Sequence, residues 1–223
     1  MIKRSLIFTT AGKLNLHMQQ LVWAGRDGRE ASVPIEDIGF VLIESAQTIL
    51  TVPLLTALSE VNAIVIFCGL NHMPCSLLLP MEGHTLMQKT FRAQVEVPAL
   101  KKEILWGQVI RSKIENQGKV ALLYNKELGK DLCRLSKGVK RGDPQNLEAQ
   151  AARIYFSIFD RFGEPFSRSS NEGIINSALN YGYAILRAAV ARALVSSGLN
   201  CAFGIHHHSQ YDAFCLADDM MEP

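Results

Sequence analysis

The residues best suited to chemistry lie at the end of the chain, in GIHHHSQYDAFCLADDMMEP, where His206, His207 and His208 precede Asp218, Asp219 and Glu222. Carboxylate oxygens and an imidazole nitrogen together suit a hard divalent ion, which would also relieve the repulsion between neighbouring acids. In a helix, Asp219 and Glu222 are three apart and Asp218 and Glu222 four apart, so either pair can share a face. Side chains of consecutive histidines diverge in any regular structure, so at most one or two of the three can reach a common centre. No HExxH spacing accompanies them, and a polar surface loop is the plain alternative. A further acid stands far upstream, in NLEAQAARIYF, where Glu148 occupies the first turn of a helix otherwise built for packing. Ala149, Ala151 and Ala152 would let a helix or a nucleic-acid backbone come close, although the plainest role for such an acid is to complement the helix dipole.

Positive charge collects between these two groups. Lys126, Lys130, Arg134, Lys137, Lys140 and Arg141 stand against only Glu127 and Asp131, a net excess of four. The first four fall at i, i+4, i+8 and i+11, so a helix gathers them on one face. Such a face can neutralise a phosphate backbone, though a basic run alone is more often a solvated surface helix. Lys101, Lys102, Arg111, Lys113 and Lys119 can widen the surface. Aromatic residues do not interleave with them, which points to a grip through phosphates with weak sequence readout.

The elements that must position these groups change character along the chain. Short β segments are predicted over residues 5–9, 13–19, 21–23, 31–35, 40–43, 63–68 and 76–79, with one helix between Ile49 and Val61 that has Pro53 near its start. From about Thr85 the period becomes helical, over 86–97, 99–123, 146–162 and 171–197, with breaks at Pro98, Gly142-Asp143-Pro144 and Gly163-Glu164-Pro165. Strands first and helices second, without alternation, predict an α+β chain. We expect a small sandwich-like domain of antiparallel strands with one helix at 1–84, and an all-α domain at 85–223.

At 223 residues, 48% hydrophobic and 20% charged, the chain can bury one large core or two small ones. A net charge of +2 leaves any anionic partner to be recognised by how charge is distributed. Five cysteines, at 68, 75, 133, 201 and 215, form no CxxC pair. That argues against a disulfide framework or a cysteine zinc module and fits a reducing, cytoplasmic location. No apolar signal region precedes Gly12 and no run approaches eighteen apolar residues, so neither secretion nor a membrane span is expected.

Taken in order, NLEAQAARIYF around Glu148 and then GLNCAFGIHHHSQYDAFCLADDMMEP from Gly198 resemble the integrase of CRISPR adaptation, the CRISPR-associated protein numbered one. That family shows an E-x-x-A-A-R-x-Y-F helix and a later G-x-x-H…L-A-x-D-L-M-E segment, and it too sets an N-terminal β domain before a helical catalytic domain. The second segment is closest in flavour to type II systems. The resemblance implies a divalent magnesium or manganese ion held by Glu148, His207 and Asp219. Aligning Gly204 and Asp219 with the family's glycine and aspartate leaves His206 as the nearest competitor of His207, with Asp218 and Glu222 as auxiliary acids. It further implies DNA as substrate, both protospacer and CRISPR repeat, together with a homodimer and a small companion adaptation protein. In type II systems an RNA-guided effector nuclease and a DNA-end-binding protein assist. The implied reaction is transesterification, in which a 3′ hydroxyl of a captured fragment attacks a phosphodiester at a repeat boundary. Because coordination needs a neutral imidazole, activity is expected to weaken in acid. Members of the family continue with more helix beyond the point where this chain stops, so a helical domain shortened at its C-terminus is expected, with weakened metal binding or DNA contacts. The alternative is a non-catalytic, DNA-binding scaffold subunit.

Overall fold

A computed structural model of the chain describes residues 3–162, 166–168 and 173–223. The break at Gly163-Glu164-Pro165 and a helix start at Asn171 lie outside the described residues. Two compact units emerge, one built from residues up to Met87 together with Asn180–Gly198, the other from Gln88–Leu179 and Leu199–Pro223.

The first unit holds strands β1 (Arg4–Phe8), β2 (Gly12–His17), β3 (Gln20–Gly25), β4 (Glu30–Pro34), β5 (Ile38–Ile43), β6 (Ile49–Leu50), β7 (Ile64–Cys68) and β8 (Pro74–Leu77), with helix α1 (Val52–Glu60) before β7. They form two four-stranded sheets, in the orders β1-β5-β7-β8 and β4-β3-β2-β6. Met18 and Gln19, at φ 46° and 58°, make the two-residue turn between β2 and β3; two positive φ values match the right-handed twist of a hairpin. Leu14 and Leu21 from one sheet, Val41, Ile43 and Val65 from the other, and Leu54 and Leu58 from α1 share one buried core, as a sandwich requires.

The expectation of antiparallel strands needs correction. β1 with β5, β5 with β7, and β2 with β6 all pair in parallel. The cause is legible in β5, whose IGFVLI is apolar almost without alternation and is covered on both faces. On its second face Leu42, with Ile66 of β7, packs against Tyr181, Ile185 and Ala188. Those three belong to helix α6 (Gly173–Ser196), which from Asn180 onward joins the first unit. Arg192 ties it there, donating to the Ser59 carbonyl at 3.1 Å and to Asn62 Oδ1 at 2.8 Å. The chain thus differs from a single cut between residues 84 and 85.

The second unit is helical, with α2 (Met87–Val95), α3 (Ala99–Leu122), α4 (Lys126–Lys137), α5 (Leu147–Phe156) and α7 (Cys215–Met221). Pro98 precedes α3, and Asn125 caps α4 by accepting from the N–H groups of Glu127 and Leu128. Helices α3 and α4 approach closely because Gly118 meets Cys133 and Gly129 meets Leu122; a Cβ on either glycine would lie 2.7 Å or less from its neighbour. Behind α5 the chain tightens into a 3-10 turn at Ser157–Phe162 instead of continuing the predicted α-helix. Trp106, Ile110, Ile114, Leu132, Leu147 and Ala151 form the core that aligns α3, α4 and α5. All five cysteines are free. Among the described residues no helix is long and apolar enough to cross a membrane.

Candidate active site

The histidine loop is organised around one buried acid. Asp219, on α7, has no exposed surface. Its Oδ2 accepts from the backbone N–H groups of Ile205 at 2.5 Å and His206 at 3.0 Å. Its Oδ1 accepts from the His207 backbone N–H at 3.2 Å and from His207 Nδ1 at 2.7 Å. Four donors fill the four acceptor positions of a carboxylate, so the loop is folded onto this side chain. The close approach explains Gly204: a Cβ there would overlap the His207 carbonyl oxygen and sit 2.9 Å from Asp219 Oδ2. Lys102 of α3 secures the same glycine from outside, donating to its carbonyl at 3.2 Å.

The three histidines have separate positions. His206 stacks on the indole of Trp106, with centroids 4.1 Å apart and planes 6° from parallel. The His207 ring meets Trp106 edge-on at 5.8 Å and keeps 44% of its side chain exposed. Since its Nδ1–H donates to Asp219, the neutral ring carries its lone pair on Nε2, the nitrogen suited to bind a metal. His208 is exposed and turns its Nδ1 back to the His206 carbonyl at 2.6 Å. Gly204, His207 and Asp219 therefore form one local unit, with His206 as a packing group.

Glu148 is held differently. The turn before α5 places Gly142, Asp143 and Asn146 at positive φ, and the Asp143 carboxylate accepts from the Leu147 and Glu148 N–H groups at 2.9 Å each. Asn146 accepts from the Ala149 N–H at 3.3 Å. With its amide thus fixed, the Glu148 side chain reaches Lys113 of α3, Oε1 to Nζ at 2.7 Å. The same ammonium meets Glu222 Oε2 at 2.5 Å, and Asn116, one turn further along α3, donates to the Pro223 carbonyl at 2.8 Å. Burial works against the Lys113 charge, but Glu222 and Glu148 outweigh it and hold its pKa above the ordinary lysine value.

Two chains of contact thus meet on α7: Glu148–Lys113–Glu222, and Asp219–His207, with Asp219 and Glu222 three residues apart. Asp218 lies between them, partly buried. Among the described residues, no three His, Cys, Asp or Glu side chains are grouped so as to hold an ion. Glu148 pairs with Lys113, and His207 with Asp219. The donor types nevertheless fit a hard divalent ion, and a cation already stands between two of the acids in the form of the Lys113 ammonium.

All six basic residues singled out in the sequence are exposed, Lys126, Lys130, Arg134 and Lys137 on α4 and Lys140 and Arg141 just beyond it. Lys130 pairs with Glu127 at 3.0 Å, Arg134 with Asp131 at 3.2 Å and Arg141 with Glu103 at 3.1 Å. Among the described residues Lys126, Lys137 and Lys140 have no ion-pair partner, so the face is less positive than the raw sequence count. Sequence reasoning missed the roles of Lys113, Trp106 and Asp143. Only Asp143 left a local signal, in the GDPQN turn before the helix.

A family model described as "CRISPR associated protein Cas1" matches residues 6–223. The CRISPR-associated endonuclease Cas1 of Neisseria meningitidis serogroup C (strain 8013) is 41% identical over 221 residues, covering 99% of this chain and 71% of the relative. Among solved structures, a casposase bound to integration product superimposes with a TM-score of 0.76 at 21% identity, covering 99% of this chain and 69% of that one. A partial Cas6-RT-Cas1–Cas2 complex does so with a TM-score of 0.63 at 22% identity, covering 99% and 72%. The structural likenesses show a shared fold. Matched over nearly its whole length and two-fifths identical to a named relative, the chain belongs to the CRISPR-associated Cas1 family.

Proposed function

We propose that this chain is a metal-dependent DNA nuclease and integrase of CRISPR adaptation, with Glu148, His207 and Asp219 as its metal-binding and catalytic residues, an ion at Asp219 taking the place of loop donors that now fill its carboxylate. The observation that carries this reading is the Asp219-anchored His207, whose imidazole is held in one tautomer with Nε2 left for coordination. Magnesium or manganese bound there would act as a Lewis acid on the phosphodiester, offsetting charge on its non-bridging and leaving oxygens. The reaction proposed is strand transfer. A 3′ hydroxyl of a captured fragment gives up its proton and forms a new bond to phosphorus, the P–O bond at a repeat boundary breaks, and the departing 3′ oxygen takes up a proton.

Around that centre each element has a task. Asp219 fixes the direction of His207, Trp106 walls the loop through His206, and Asp143 with Asn146 sets the start of α5 and so the position of Glu148. The exposed cations of α4 offer phosphate contacts for DNA, which act through charge and not through base identity. A casposase and a Cas1–Cas2 complex among the fold neighbours support DNA and a Cas2-type companion as partners. The family resemblance supports a homodimer and, for a type II system, assistance by an RNA-guided effector nuclease.

The test is transfer of a short DNA duplex into a repeat-containing plasmid in the presence of manganese. Glu148→Ala and His207→Ala are expected to abolish joined product while retaining DNA binding. Product formed by both variants removes these residues from the reaction. A wild-type chain that binds DNA without joining it identifies the scaffold alternative.

A further inference from the structure

Lys113 sits between two acids that lie far from it in the sequence. Its side chain is only 16% exposed and it bridges Glu148 of α5, at 2.7 Å, to Glu222 at the end of α7, at 2.5 Å. No segment near any of the three residues forces them together. Thirty-five positions separate Lys113 from Glu148, and the bridge closes α3, α5 and α7 around one ammonium. Two carboxylates facing one single positive charge leave a net charge of minus one. A divalent ion held by Glu148 would need the carboxylate that the ammonium now occupies, so the two cations compete for it. Lysine is suited to give way. Its ammonium is a compact charge on a flexible stem with rotatable donors, unlike the fixed fork of arginine.

We infer that Lys113 is a resident counter-cation that holds the Glu148–Glu222 pair together and is displaced when a divalent ion enters. This rests on the metal-binding reading proposed above. Lys113 is then a positioning residue: it keeps Glu148 facing α7 before the ion arrives, and it weakens ion binding by competing for the same carboxylates.

The experiment is a manganese titration, followed by the loss of the free-ion electron paramagnetic resonance signal, on the full chain and on Lys113→Met, Lys113→Arg and Glu148→Gln. Methionine keeps most of the stem and removes the charge. Lys113→Met is expected to bind manganese about tenfold more tightly, since two ion pairs no longer have to be broken. Its melting temperature without the ion falls below that of the wild type, and saturating manganese raises it by a larger increment. Lys113→Arg, which keeps both pairs in a stiffer geometry, is expected to bind more weakly than wild type, so the competition stays measurable if the methionine variant does not fold. Binding that is lost in Glu148→Gln but unchanged or weaker in Lys113→Met overturns the role of Lys113 and leaves the metal site standing. For a methionine variant that does not fold, binding by Lys113→Arg as tight as wild type has the same meaning. Identical titrations of wild type and Glu148→Gln overturn both, because no ion then reaches these acids.

Discussion

Replacing Asp219 with asparagine changes one atom in the centre of the histidine loop and tests what the loop is folded around. The amide keeps the size of the side chain but has one acceptor oxygen where the carboxylate has two. In the less costly orientation that oxygen retains the Ile205 and His206 N–H groups, which donate at 2.5 and 3.0 Å, and the NH2 then faces the His207 N–H and Nδ1. The ring can respond by moving its proton to Nε2, so that Nδ1 accepts. The backbone N–H of His207 cannot respond and is left without its acceptor. One buried donor unpaired and two charge-assisted bonds made neutral cost about 3 kcal/mol. For a chain of this length that is a fall of roughly 10 °C in melting temperature.

The assay has two parts. Urea unfolding reports the stability, and nitrogen-15 spectra of the imidazole report which ring nitrogen carries the proton. We expect the Nδ1–H form in wild type and the Nε2–H form in Asp219→Asn, together with loss of the proposed strand transfer, because the lone pair proposed to coordinate the ion has moved to the other nitrogen. A stability change under about 1 kcal/mol, or an unchanged tautomer, refutes the reasoning, since either means that the carboxylate is not the acceptor on which the loop depends.

Further outcomes follow from the same geometry. Gly204→Ala places a methyl group against the His207 carbonyl and Asp219 Oδ2, so it should destabilise the loop by about 2–4 kcal/mol, measured by urea unfolding against an alanine control at an open glycine such as Gly182. The Lys113 triad predicts an alkaline effect. Because its folded pKa lies above that of an unfolded lysine, its stabilisation is complete below the unfolded value of about 10.4 and is lost as pH rises through the folded one. The unfolding midpoint of wild type should therefore fall more between pH 8 and strongly alkaline pH than that of Lys113→Met. On the basic face, Lys137→Ala and Lys140→Ala should each lower the salt dependence of DNA binding by about one unit of log-log slope, whereas Lys130→Ala and Arg134→Ala, whose charges are already paired, should lower it less. Equal effects at all four positions would show that the surface pairs open on binding.

The division into strands and then helices was legible because each half keeps its own hydrophobic period over many residues. Strand direction was not. Alternation identifies a wet face in β2 and β3, but β5 carries apolar residues on both faces, and only the coverage of Leu42 by Tyr181, Ile185 and Ala188 explains why. That coverage comes from a helix well over a hundred residues away in the chain, and no local pattern announces it. The same long-range contact moved most of α6 out of the helical domain assigned to it.

For the site, the legible part is what the residues do locally, and the hidden part is what they meet. Of the three consecutive histidines only His208 turns away: His206 and His207 both meet Trp106, and His207 also donates to Asp219. The different surroundings of His206 and His207 could not come from spacing, because they depend on Trp106, a hundred positions upstream, and on Asp219. Likewise the acids Glu148 and Glu222 were visible as candidates, while the ammonium between them was not. A lysine inside a long helix reads as solvent-facing unless the partners that bury it are known. Mutual repulsion among the acids was the sequence-level reason to expect a cation. The structure supplies a singly charged one from within the chain, which offsets only one of the two carboxylates it meets. The decisive quantity is whether a divalent ion binds the pair more strongly than Lys113 does.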